Sequence, residues 1–310
     1  MERAILVLGA LLFNAIFAGP RRVVAQLGLS RVTRIPVGLI RGLERKLNRE
    51  HRSLSEREVR GAVLVAVALV LSLFVGKMLA GLTHGLLFFE LLIVALALPV
   101  RPTWDLVSQI RGSLRRGDLT AARQALAGTP WRYHAVMDDY AVARAAIEIL
   151  AVHFSEKILA PALWYIAFGL PGLLASKSIT LMQETLMQPL AGETGFNKAT
   201  RVADYIMHYV PSRLAAILWL AVMMFLPSVK LRDVTKLVAA RFATAAPQYL
   251  SVLSAASVLK LALGGPTSIY APAGWVGIGT ARPTHVDIKR AQYLFALLHL
   301  FLFILIGLFL

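Results

Sequence analysis

Apolar residues gather into runs of membrane-crossing length, at about 4–18, 61–82, 86–100, 158–174, 214–227 and 291–310. A full span needs roughly 20 apolar residues. The runs at 61–82 and 291–310 meet that length. The shorter ones predict tilted, half-buried or re-entrant helices, and 248–263 is a further partial run. Between the runs the periodicity is helical. Leu106, Val107, Ile110 and Leu114 repeat at α-helical spacing, and Asp118 stands where it would cap a following helix packed by Leu119, Ala122 and Leu126. Gly128, Thr129 and Pro130 end that helix. No stretch alternates as a strand would. The pattern predicts an all-α, polytopic integral membrane protein with five or six membrane helices. It is read as one domain over 1–310, with 101–145 a cytoplasmic helical hairpin within it.

Composition agrees. Of 310 residues, 57% are hydrophobic and the mean hydropathy is +0.66, above the apolar share of soluble domains. The net charge of +16 is unevenly spread. Residues 19–60 hold eleven Lys/Arg against four Glu, and 101–145 hold seven Arg against four Asp. Both flank the hairpin of apolar runs that turns at Leu82–Gly85, so both are expected in the cytoplasm. Residues 228–245 and 281–291 add bases to the same side. The bilayer is the expected partner and a bacterial inner membrane the expected location. Nucleic acid is not expected, because the arginines are dispersed and no nucleic-acid motif appears. The opening MERAILVLGALLFNAIFAGP is read as a first span rather than a signal peptide, since the rest of the chain is apolar anyway. With no cysteine, thiolate metal sites and a cysteine nucleophile are excluded. There is no Walker loop and no HExxH. A transporter built on inverted repeats is disfavoured, because the polar residues do not recur in two halves.

Two segments carry candidate chemistry. The apolar run AIEILAVHFSEKILAP, 146–161, contains Glu148, His153, Ser155, Glu156 and Lys157. At α-helical steps Glu148, Val152, Ser155 and Glu156 share one face, with His153 and Lys157 beside it. Charges in such a run either sit at a helix end in the headgroup zone or face a protein interior. Both readings stand. The second segment, 177–214, holds Gln183, Glu184, Glu193, Asn197, Arg201, Asp204, His208 and Arg213. Asp204 lies within helical reach of Arg201 and His208. It reads either as an ordinary interhelical loop or as part of a site in which carboxylates hold Mg²⁺ and bases hold phosphate.

The order of motifs resembles the CobD/CbiB family, the adenosylcobinamide-phosphate synthases of cobalamin biosynthesis. LLFNAIFAGPRR, GLERKLNRE and GDLTAARQAL are similar to the family's early segments. ARAAIEILAVHFSEKILAPALWYIAFGLPGLLA resembles its core motif. FNKATRVADYIMHYVPSRL, LALGGPTSIY and RPTHVDIKRA resemble the later ones. The resemblance implies joining of adenosylcobyric acid to aminopropanol phosphate with Mg-ATP. Glu148, Glu156 and Asp204 would then hold the metal, with Glu148, His153 and Glu156 at the chemistry. Lys157, Ser155, Arg201 and Arg213 would bind substrate or phosphate, and the substrate would be a corrinoid.

The departures fall on the family's polar positions. Asn14 replaces an Asp, Ala18-Gly19-Pro20 a Gly-Asp-Pro, and Val152-His153 a Glu-Asn pair. Glu156-Lys157 replaces Asp-Gly, Thr180–Gln183 an Asn-Thr-Leu-Asp motif, and Ala203-Asp204 an Asp-Asp pair. A hydrophobe at 152 cannot replace a metal ligand. The expectation is therefore a divergent, non-catalytic or altered member, with no certain cofactor. It would work as a membrane binding or assembly subunit beside other membrane or cobalamin-pathway proteins. The alternative is an active, ATP-dependent amide-forming synthase. The run 158–174 adds a constraint. If it spans fully, 175–207 lies outside, away from cytoplasmic ATP, so an active site there requires 158–174 to be re-entrant.

Overall fold

The computed structural model describes residues 1–16, 34–49, 53–129, 131, 134–186, 195–225, 231–271, 274–308 and 310. The Ala18-Gly19-Pro20 corner, Pro130 and Glu193 lie outside the described residues. Among the described residues the elements are helical, with one short hairpin. They are α1 (Glu2–Ile16), α2 (Arg34–Leu47), α3 (Leu54–Leu82), α4 (Leu87–Ala97), α5 (Val100–Arg115), α6 (Leu119–Leu126) and α7 (Asp139–Val152). A π-helical segment (His153–Leu159) leads into α8 (Ala160–Phe168) and α9 (Leu170–Leu186). Then come α10 (Lys198–Val222), α11 (Leu231–Phe242), α12 (Pro247–Leu259), β1 (Leu263–Gly264), β2 (Trp275–Val276) and α13 (His285–Gly307).

This is an all-α membrane protein. Among the described residues four stretches are long and apolar enough to cross a bilayer: Leu54–Leu82, Leu87–Arg115, Gly195–Phe225 and His285–Gly307. They contain the apolar run 61–82 and most of 86–100, 214–227 and 291–310. The run 158–174 is not one helix. Its chain passes from π-helix to α8 and turns at Gly169, which has φ +68. That left-handed value costs a glycine little and other residues more.

The chain forms two compact units. The first comprises Met1–Pro99 and Ala160–His208. Within it α3 packs along α9, and two glycines of α3 allow close approach, Gly76 to α9 and Gly61 to the 3-10 turn Gly195–Asn197. A Cβ at Gly76 would stand 2.5 Å from Pro171 Cα, and one at Gly61 would meet the carbonyl of Phe196 at 2.0 Å. Leu64, Val65, Ile179, Met182 and Phe196 form the core beside them. Gly76→Ala is expected to lower the melting temperature in detergent by several degrees, since overpacking against rigid backbone costs about 1–3 kcal/mol. An unchanged melting curve would show that α3 and α9 do not approach so closely. Elsewhere in this unit, buried Asn14 ties α1 to α4 by donating to the carbonyls of Ala10 (3.0 Å) and Ala95 (2.9 Å). The Tyr165 hydroxyl donates to Glu90 at 2.7 Å.

The second unit comprises Val100–Leu159 and Tyr209–Leu310. Helix α7 is its centre. Every residue from Ala141 to Val152 is buried, with α5, α12 and α13 packed around it. Asp118 and Asp138 cap α6 and α7 by accepting from the backbone N–H three residues on. Helix α13 opens on a capping box between Thr284 and Asp287. Strands β1 and β2 pair antiparallel, Leu263 with Val276 and Gly264 with Trp275.

Candidate functional site

Glu148, His153, Ser155, Glu156, Lys157 and Arg213 fall in the second unit, and Arg201 and Asp204 in the first. The second unit brings several of its members around one feature, the loop between α12 and α13.

Glu148 points from α7 into that loop. One carboxylate oxygen accepts from the Gly264 N–H at 2.9 Å, and the other from the Ser268 hydroxyl at 2.6 Å. Ser268 Oγ in turn accepts from the N–H groups of Tyr270 (3.2 Å) and Ala271 (3.0 Å). Gly264 and Gly265 hold φ +81 and +84, a conformation that lets the chain double back under the carboxylate. Burial pushes the Glu148 carboxyl up from 4.5 to about 7, against the opposing pull of Ser268, the Gly264 N–H and Arg144. One turn earlier on α7, Arg144 donates to the Ala281 carbonyl and stands 5.0 Å from the Trp275 ring centre. An acid and a base on one helix thus pin both ends of the loop.

Arg213 performs a similar task on the neighbouring connection. Its guanidinium donates to the carbonyls of Phe242 (3.0 Å), Ala243 (3.2 Å) and Ala245 (2.7 Å). It also lies 3.7 Å from the Tyr209 ring centre. A cation at the C-terminus of α11 meets the negative end of the helix dipole, and the planar fork reaches several carbonyls at once.

The α-helical stripe expected from Glu148 to Glu156 does not continue, because the backbone is π-helical from His153. The wider ladder changes the rotation per residue, so side chains beyond Val152 leave the α-helical register. His153 Nδ1 is 3.0 Å from Thr103 Oγ1 on α5. Glu156 is buried, with Gln248 Nε2 at 3.5 Å from its Oε2. Ser155 is fully buried, and its hydroxyl has no hydrogen-bond partner among the described residues. Lys157 is half-buried. In the first unit Arg201 is half-buried. Asp204 Oδ1 lies 2.9 Å from His208 Nδ1, and His208 Nε2 lies 3.3 Å from Thr180 Oγ1.

Between the pinned loop and the α11–α12 turn lies a pocket of about 570 Å³. Arg241, Thr244 and Tyr249 line one wall, Tyr270 and Trp275 the other. One guanidinium beside three aromatic rings suits a planar or phosphorylated anion, which the rings stack and the cation pairs. Sequence reasoning missed these residues. Their one signal was the placing of Tyr270 and Trp275 among the glycines and prolines of the loop. The charges it selected, Glu148 and Arg213, shape the walls instead.

The family described as CobD/Cbib protein matches residues 7–295. The chain is 34% identical over 177 residues to the cobalamin biosynthesis protein CobD of a Sinorhizobium species, covering 56% of this chain and 55% of that protein. It is 33% identical over 180 residues to the protein of the same description in Rhizobium meliloti, covering 57% and 55%. For Sinorhizobium fredii the figures are 31% over 165 residues, 52% and 51%. The chain spans about half the length of the curated relatives it matches. No solved structure matches.

Proposed function

The chain belongs to the CobD/CbiB family, and from that premise we propose that it serves cobalamin biosynthesis as a multi-pass binding or assembly subunit of the bacterial inner membrane, with the synthase chemistry lost or changed. The observation that carries this is the commitment of Glu148. A carboxylate that holds Mg²⁺ directs oxygen lone pairs at the ion. Here each oxygen already accepts a hydrogen bond from the loop. Val152, one turn further on, offers no oxygen. Lone pairs remain on both oxygens, but among the described residues Glu148 belongs to no cluster of acids and histidines that could share an ion with it, which supports a loop anchor rather than a metal ligand. The inner-membrane placing is supported by the basic segments that flank the apolar hairpin.

Active amide synthesis is the second reading, favoured by the pocket in which Arg241 stands beside three aromatic rings. A direct assay separates the two. Purified protein is given adenosylcobyric acid, aminopropanol phosphate, ATP and Mg²⁺, beside an active family member. The expected result is no product and no Mg-ATP-dependent rise in melting temperature, because a ligand that binds only the native state must raise stability. Product above the no-enzyme background would overturn the proposal.

A further inference from the structure

A second cavity lies wholly in the first unit. It is an apolar groove of about 510 Å³ bounded by α2, α3 and α9. Leu39 and Leu43 of α2, Leu64 and Leu71 of α3, and Leu174 and Leu181 of α9 are among its walls. Helix α3 is long and apolar enough to cross a membrane, and only 17% of an 18-residue apolar window within it is buried by protein. Its outward Val63, Val67, Val70, Leu71 and Phe74 face hydrocarbon, so a groove along it opens to lipid. Its wall is mostly apolar, with Ser72, Lys177 and Ser178 the polar side chains along it.

Helix α2 forms the lip of this groove and has its own chemistry. It is too short and too polar to cross a membrane. Pro36, Leu39, Ile40, Leu43 and Leu47 fall on one face at the α-helical step. Arg41 and Arg45 fall on the opposite face and are exposed, with Lys46 exposed at the flank. Glu44 is the one acid in the helix. This is the build of a helix lying in the membrane interface, with its apolar face sunk and its cations among headgroups. Acyl-chain space beneath a row of cations matches both halves of one molecule.

We propose that α2 and the groove bind an anionic phospholipid. One acyl chain lies between α2, α3 and α9, and the phosphate-bearing headgroup is held by Arg41, Arg45 and Lys46. Basic residues beside an anionic membrane surface contribute about fivefold each to affinity, so the headgroup is the source of selectivity and the groove of occupancy.

The test uses the full chain, purified in an uncharged detergent and titrated with phosphatidylglycerol or phosphatidylcholine. Bound lipid is counted by native mass spectrometry, and melting temperature is followed alongside. Phosphatidylglycerol is expected to bind at least tenfold more tightly and to raise the melting temperature. An Arg41→Gln/Arg45→Gln variant, altered only at exposed positions, should lose about thirtyfold of that affinity. Its phosphatidylcholine binding should not change. Leu39→Trp, which fills the groove from an exposed position, should lower binding of both lipids while leaving the arginines intact. Equal affinity for the two lipids in the wild type, or undiminished phosphatidylglycerol binding in both variants, would overturn the proposal.

Discussion

Glu148→Ala is expected to lower the stability of the protein by about 3 kcal/mol or more and to free the loop 261–281. Removing the carboxylate leaves the buried Gly264 N–H and Ser268 hydroxyl without their acceptor, and each such loss costs about 1–3 kcal/mol. It also leaves Arg144, buried one turn away, with Asp138 as its remaining acidic neighbour. Hydrogen exchange should rise at Gly264, Tyr270 and Ala271, whose amides depend directly or through Ser268 on the carboxylate. Unchanged exchange at those three amides would show that Glu148 does not anchor the loop. Glu148→Gln separates shape from charge, since the amide can copy the protonated acid. Because the folded carboxyl titrates near 7 rather than 4.5, the native state holds a proton that the unfolded chain has released. The stability this contributes is full below pH 4.5 and is lost as pH rises through 7. The wild type should therefore lose about 3 kcal/mol relative to Glu148→Gln between those limits. A stability difference that stays constant with pH would contradict the buried-carboxyl account.

The second large effect belongs to Arg213. Its replacement by Ala should cost about 3 kcal/mol or more, because three carbonyls at the end of α11 lose a charged donor together. Stacking on Tyr209 is lost as well. Arg213→Lys should recover less than half of this, since an ammonium is a point donor and cannot span Phe242 to Ala245 as the guanidinium fork does. The check is chemical denaturation in detergent, with hydrogen exchange read over 242–250. If Lys restores full stability, charge alone matters at this position and the fork geometry does not. Because Arg241 and Thr244 stand on the stretch that Arg213 holds, the pocket wall should loosen in step with the stability loss.

The two predictions share a lesson about the site. Sequence reasoning chose Glu148 because ionisable groups within apolar runs are costly and must be matched, and Arg213 as a base of the polar segment 177–214 that could contact phosphate. That inference was sound about cost but did not name the partner. Both side chains meet backbone groups, and a backbone carbonyl or N–H carries no mark in sequence. Asn14 is a similar case. Where the family has an acid, this chain has an amide that donates to Ala10 and Ala95, a task a carboxylate cannot perform because it has no N–H to give.

What the sequence by itself determined is local. Hydropathy over some twenty residues marks the membrane helices, because the cost of exposing backbone and charge to hydrocarbon is summed along the segment itself. Asp118 before Leu119 marks a helix start, because an N-cap bond closes within three residues. The ordered motifs point to the CobD/CbiB family for the same reason, since each can be read within a few positions. What only the tertiary structure decided is which distant groups meet. Glu148 finds Gly264 and Ser268 more than a hundred residues on, and the pocket of Arg241, Tyr249, Tyr270 and Trp275 exists only once the loop is drawn onto α7. The π-helical turn after Val152 belongs there too, since it shifts side chains out of the register that sequence spacing assumes. Long-range pairings are selected by packing of whole elements against one another, and that selection leaves no periodic trace along the chain.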